Sequence, residues 1–157
     1  MGLDTELVRR LESLRGARTV VLGVGNDLKG DDAAGPLVCR RIEGGAGANV
    51  MDAGTVPENY IQRIVRARPE HLVIIDAADF GDEAGAARLF EVEELSGVAM
   101  STHSLSPRLF VDLIRRQIEV GVVFVGIQPG QMELGRGLSA DVEAVVGELA
   151  EVLSRSL

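Results

Sequence analysis

The sequence predicts an α/β fold: a single open, twisted, mostly parallel sheet with helices on both faces. Three observations carry this expectation. Short apolar runs alternate along the chain with stretches of helical periodicity. The two longest runs are apolar at consecutive positions, as strands buried on both faces are. The chain has 157 residues, the length of one domain and enough to bury most of its apolar surface.

In order, Leu3, Leu7, Leu11 and Leu14 recur at helical spacing between charged residues and predict a short helix laid against the domain. Residues 1–17 are thus a helical extension of a single domain spanning 1–157. Arg18 to Gly25 (RTVVLGVG) reads as the first buried strand, followed by a loop from Asn26 to Gly30. Asp31 or Asp32 is suited to open a helix reaching about Ile42, because a carboxylate there satisfies free amides and complements the macrodipole. Gly44 to Gly47 breaks the chain before a short strand, Asn49 to Asp52. A second helix begins after Val56 with Pro57 in its first turn and runs to about Ala67, where Arg68-Pro69 ends it.

His71 to Asp76 (HLVIID) is the clearest strand, closing on a carboxylate. Ala87 to Val92 predicts a further strand, antiparallel at an edge, and Glu93 to Ser96 a turn. A helix spans about Ser106 to Ile118, then Val122 to Ile127 (VVFVGI) forms another buried strand. The last helix covers about Ser139 to Ser154. The expected winding sets strand 1 beside strand 3.

Composition narrows the function. Apolar residues make up 46% of the chain and aromatics only 3%, so the core comes from Val, Ile, Leu and Ala. A net charge of −8, with no Lys/Arg-dense stretch, argues against nucleic acid. No segment has about 20 consecutive apolar residues, which argues against a membrane span. The first fifteen residues lack the apolar core of an export signal, and the single Cys39 forbids an internal disulfide. The expected setting is cytoplasmic.

In open α/β sheets, ligands bind beyond the carboxyl ends of the strands where strand order reverses. Asp32 follows strand 1, Asp76 ends strand 3, and His103 lies in the loop after the fourth strand. Two carboxylates and an imidazole suit a borderline divalent cation such as Ni²⁺ or Zn²⁺, with positions left open. Against this stands a plainer account, in which Asp31 and Asp32 cap a helix, Asp76 terminates a strand and His103 sits in a polar loop. Spacing alone leaves both open.

Other motifs point away from common chemistries. Gly23-Val24-Gly25 invites a dinucleotide site, but the fingerprint requires glycine where Leu28 stands, and Asp27, Asp31 and Asp32 would repel a pyrophosphate. Cys39, among Leu37, Val38 and Ile42, has no local base and is expected in the core. His71, opening a strand, is expected to be structural. No serine-hydrolase elbow or H-E-x-x-H pair occurs.

The run GVGNDLKGDDAAGPLV, Gly23 to Val38, resembles the opening motif of the hydrogenase maturation endopeptidases. DAGTVPEN (Asp52 to Asn59), LVIIDAADFG (Leu72 to Gly81), STHSLS (Ser101 to Ser106) and VGIQP (Val125 to Pro129) resemble that family's later blocks in the same order. The blocks look closest to the formate-hydrogenlyase-type branch. The resemblance implies an endopeptidase that removes the C-terminal extension of the nickel-loaded large-subunit precursor of a [NiFe] hydrogenase. It implies Asp32, Asp76 and His103 as metal-contacting residues, with Asp32 or Asp76 also the catalytic base. Asp52, with Gly54 and Thr55 of its block, matches a position linked to substrate recognition. It implies no cofactor of the enzyme's own: nickel, or another divalent metal in the site, comes with the substrate. Two alternatives remain at this point, a metallohydrolase of small substrates and a nickel-handling assembly factor that does not cut.

Overall fold

A computed structural model describes residues 2–42, 48–97, 99–100 and 105–157. The expected break at Gly44 to Gly47 and the site residue His103 lie outside the described residues.

The sheet has strands β1 (Thr19–Val24), β2 (Ala48–Gly54), β3 (His71–Asp79), β4 (Ala87–Phe90), β5 (Ala99–Met100) and β6 (Gly121–Ile127). The main path runs β2-β1-β3-β6-β4. β1 is parallel to both β2 and β3, and β3 is parallel to β6. β4 returns antiparallel to β6 at the edge, as the sequence predicts. Strand order reverses between β1 and β3, so the switch point falls where the sequence puts the two candidate carboxylates.

Alternate residues of each strand feed two cores. Val21, Val73, Ile75, Val123 and Val125 point to helices α1 (Thr5–Glu12), α2 (Ala34–Arg41) and α5 (Ala140–Ser156). Val20, Leu22, Leu72, Ile74 and Phe124 point to α3 (Ile61–Ala67) and α4 (Pro107–Arg115). Both faces are covered, which explains why the strands read as unbroken apolar runs. The N-terminal helix is part of this architecture: Asp4 caps it by accepting the Glu6 amide at 2.9 Å, and Leu7, Leu11 and Leu14 are buried.

Three expectations are corrected. Asp76 does not end its strand, because β3 continues to Asp79 and Ala78 and Asp79 pair with β5. That two-residue partner is too short to show as a period, and a 3₁₀ segment at Val92–Gly97 replaces the predicted turn before it. Neither Asp31 nor Asp32 caps α2. Both lie in a 3₁₀ turn, Gly30–Ala33, and the helix starts after Ala33 with no side-chain cap.

No helix among the described residues is long and apolar enough to cross a membrane.

Candidate active site at the carboxyl edge

Glycine brings α2 down onto the switch point. A Cβ on Gly35 would overlap the carbonyl oxygens of Ile75 and Val24, and one on Gly23 would stand 2.7 Å from the Cys39 sulfur. Only bare backbone permits this approach, so Gly23 in β1 and Gly35 in α2 serve helix–strand packing. Gly25 then turns with φ +147°, and a side chain there would collide with the Asp32 carbonyl. The chain folds back on itself, and the Asp32 turn lies against the ends of β1 and β3.

Asp32 is 2% exposed. Its Oδ2 accepts the Asn26 amide at 2.9 Å. Its Oδ1 is buried and has no hydrogen-bond partner among the described residues. A desolvated carboxylate oxygen without a donor among the described residues is a place where a cation or a further donor would be favourable.

Asp76 is 1% exposed and pairs with Gly126 of β6 in register. Gly23 pairs with Ile75, so Asp76 follows directly where the β1–β3 ladder ends. An apolar cavity of about 20 Å³ beside it is lined by Val24, Pro57, Ile74, Leu105, Phe110 and Phe124. The structure therefore sets Asp32 and Asp76 at one edge of adjacent strands. Among the described residues no three His, Cys, Asp or Glu groups assemble a metal-binding cluster. The donors present are two acidic oxygens, and the unsatisfied Oδ1 fits a cation.

Asp31 has a role that the sequence does not reveal. It is fully buried. Its Oδ2 accepts the Gly130 amide at 2.7 Å, the Gln131 amide at 3.0 Å and the Ser139 hydroxyl at 2.7 Å. Its Oδ1 accepts the Ser139 amide at 2.7 Å. Burial alone would raise this carboxyl, but the donated hydrogen bonds from Gln131, Ser139 and Gly130 outweigh it, and the group lies below its ordinary value of 3.8. All of these donors are about a hundred residues away in sequence, so no local pattern could have announced them.

At the end of β2, Asp52 is held by Arg40, whose Nε and Nη2 reach Asp52 Oδ2 at 3.0 and 2.8 Å. Arg40 Nη2 also meets Asp27 Oδ2 at 2.8 Å, joining the loop after β1 to the end of β2. Asp52 Oδ1 accepts the amide of Gly54, which turns with φ +56°, and Thr55 is exposed. Arg40 was not singled out by the sequence, where it is one arginine of a pair in a helix. Cys39 is buried as expected, and burial, then the Asp52 charge, pushes its thiol up to about 12. It cannot serve as a nucleophile near neutral pH.

Comparison with known proteins agrees with this fold. The family model for HycI, hydrogenase maturation protease, matches residues 39–156, a stretch that includes Asp76 and His103 and begins beyond Asp32. The Hydrogenase 3 maturation protease of Escherichia coli is 37% identical over 113 residues, covering 70% of this chain and 72% of that one. The crystal structure of a [NiFe] hydrogenase maturation protease HycI from Thermococcus kodakarensis superposes with a TM-score of 0.85 at 33% identity, covering 94% of this chain and 98% of the other. The solution structure of the endopeptidase HycI from Escherichia coli gives 0.78 at 31% identity, covering 87% and 89%. The chain belongs to the hydrogenase maturation protease family, a family of endopeptidases.

Proposed function

We propose that this endopeptidase removes the C-terminal extension of a [NiFe] hydrogenase large-subunit precursor, and that it does so once nickel is installed. Asp32, Asp76 and His103 would contact the precursor's nickel, which belongs to the substrate rather than to the enzyme. The observation that carries this reading is the buried Oδ1 of Asp32, without a partner among the described residues, at the same sheet edge as Asp76. An oxygen so placed gains most when a cation arrives with the substrate, and a nickel-free precursor brings none. The enzyme then acts as a checkpoint, binding and cutting after metal insertion.

Hydrolysis adds a water oxygen to the scissile carbonyl and returns a proton to the leaving amine. Asp32 or Asp76 would take the first proton and deliver it; alternatively the precursor's nickel, held by these residues, would supply polarisation of the carbonyl or of its attacking water. Asp52, with Gly54 and Thr55, lies at the end of β2 where it can read the substrate chain beside the cut. A single buried thiol and no cystine framework suit work in the cytoplasm.

Intact mass spectrometry of a matching precursor tests the reading. Wild-type enzyme is expected to release one C-terminal peptide. Asp32→Asn, Asp76→Asn and His103→Ala are each expected to slow release about 100-fold or more. Wild-type rates in all three variants would remove these residues from the site.

A further inference from the structure

Single exposed leucines are ordinary on a protein surface, but their gathering in one place is not. Among the described residues the exposed large apolar side chains are Leu28, Val56, Leu109 and Leu134. Leu28 is in the loop after β1, Val56 follows β2, and Leu134 is in the loop after β6. Leu109 is in the first turn of α4, whose neighbours Pro107 and Phe110 line the cavity beside Asp76. All four thus lie at the carboxyl edge. Leu28 and Leu134 flank it on the α2 and α5 side, and Val56 and Leu109 on the α3 and α4 side.

The two most exposed are also held in place. Leu28 is 64% exposed and Leu134 76%. The Gly135 amide donates to the Leu28 carbonyl at 2.8 Å, and Lys29 bridges to Leu134 in antiparallel fashion. The Asp31 amide donates to the Gln131 carbonyl at 2.9 Å, while the Asp31 carboxylate grips Gly130, Gln131 and Ser139 from below. Two apolar side chains are therefore presented to water on loops pinned by a buried carboxylate. Preorganisation of this kind lowers the ordering cost of binding a partner.

We infer that Leu28 and Leu134, with Val56 and Leu109 across the edge, form the docking surface for the folded body of the precursor, beyond the peptide being cut. This rests on the function proposed above. All four side chains stand at the carboxyl end of the sheet that also carries Asp32 and Asp76, so a protein whose chain enters that edge comes close to them. A free short peptide, needing only the edge itself, would not require side chains on both sides of it. Asp31 is on this account a positioning residue, holding the Leu134 loop against the Leu28 loop.

The test is binding and processing of the nickel-loaded precursor by the full-length enzyme. The pair Leu28→Ser and Leu134→Ser changes no charge and disturbs no core. It is expected to raise the precursor Kd about ten-fold with an unchanged Tm, and the pair Leu28→Met and Leu134→Met to restore tight binding. Equal affinity for wild type and the serine pair would overturn the docking surface while leaving the peptidase reading standing. A precursor bound in the predicted rank order yet left at full mass would support docking and sink the peptidase reading. No binding by wild type would overturn both.

Discussion

At Asp32 one carboxylate oxygen accepts the Asn26 amide and the other is buried with no donor among the described residues, whereas at Asp31 both oxygens are filled. These neighbours should therefore respond oppositely to mutation. Asp31→Ala leaves the Gly130, Gln131 and Ser139 amides without their acceptor and is expected to cost about 3 kcal/mol, read by urea unfolding. Asp32→Asn keeps an oxygen to accept the Asn26 amide and should change stability by less than about 1 kcal/mol while slowing processing about 100-fold or more. The pH dependence follows from the sign of the Asp31 shift. Its native carboxyl lies below the ordinary 3.8, so its contribution is full above that value and fades as pH falls below it. The stability gap between wild type and Asp31→Asn should narrow below pH 3.8. Cys39 should resist an aromatic disulfide reagent in the native state and react only on unfolding, because its thiol is buried and pushed up to about 12. The types of these residues were legible in the sequence, but the difference between Asp31 and Asp32 was not. It depends on donors brought from residues 130–139 by the fold.

Elements were legible wherever period and punctuation agreed. β1, β3 and β6 read as buried strands because two helical layers cover them, and Ser106 and Pro107 mark the start of α4, where the Ser106 hydroxyl accepts the Leu109 amide at 3.1 Å. The antiparallel edge at β4 was also legible. The overrun of β3 past Asp76 was not, since it depends on the two residues of β5 and on Gln128, which donates to Asp79 Oδ1 at 3.1 Å and accepts the Phe80 amide at 2.9 Å. The contact between α2 and the strands yields the sharpest prediction at this scale. Gly35→Ala places a methyl group onto the Ile75 and Val24 carbonyls, and those are backbone atoms in the sheet centre. The helix must lift, at a cost of about 3 kcal/mol or more, and Asp32 moves with it. Denaturant titration of this variant should show the loss, with processing falling further than stability alone explains.

On the scale of the whole molecule, the two cores and the N-terminal helix make one scaffold whose carboxyl edge carries the acidic residues, the Arg40 bridge and the exposed leucines. The N-terminal segment, whose leucines predicted a packed helix, contributes through Leu7, Leu11 and Leu14 and through the Leu3 amide, which donates to Glu148 at 3.0 Å. We propose that this acidic edge reads the metal in its substrate. The most direct measurement follows two preparations of one precursor, nickel-loaded and nickel-free, by intact mass in the presence of wild-type enzyme. Loss of the C-terminal peptide is expected from the nickel-loaded preparation alone. Equal rates of loss from both would contradict it.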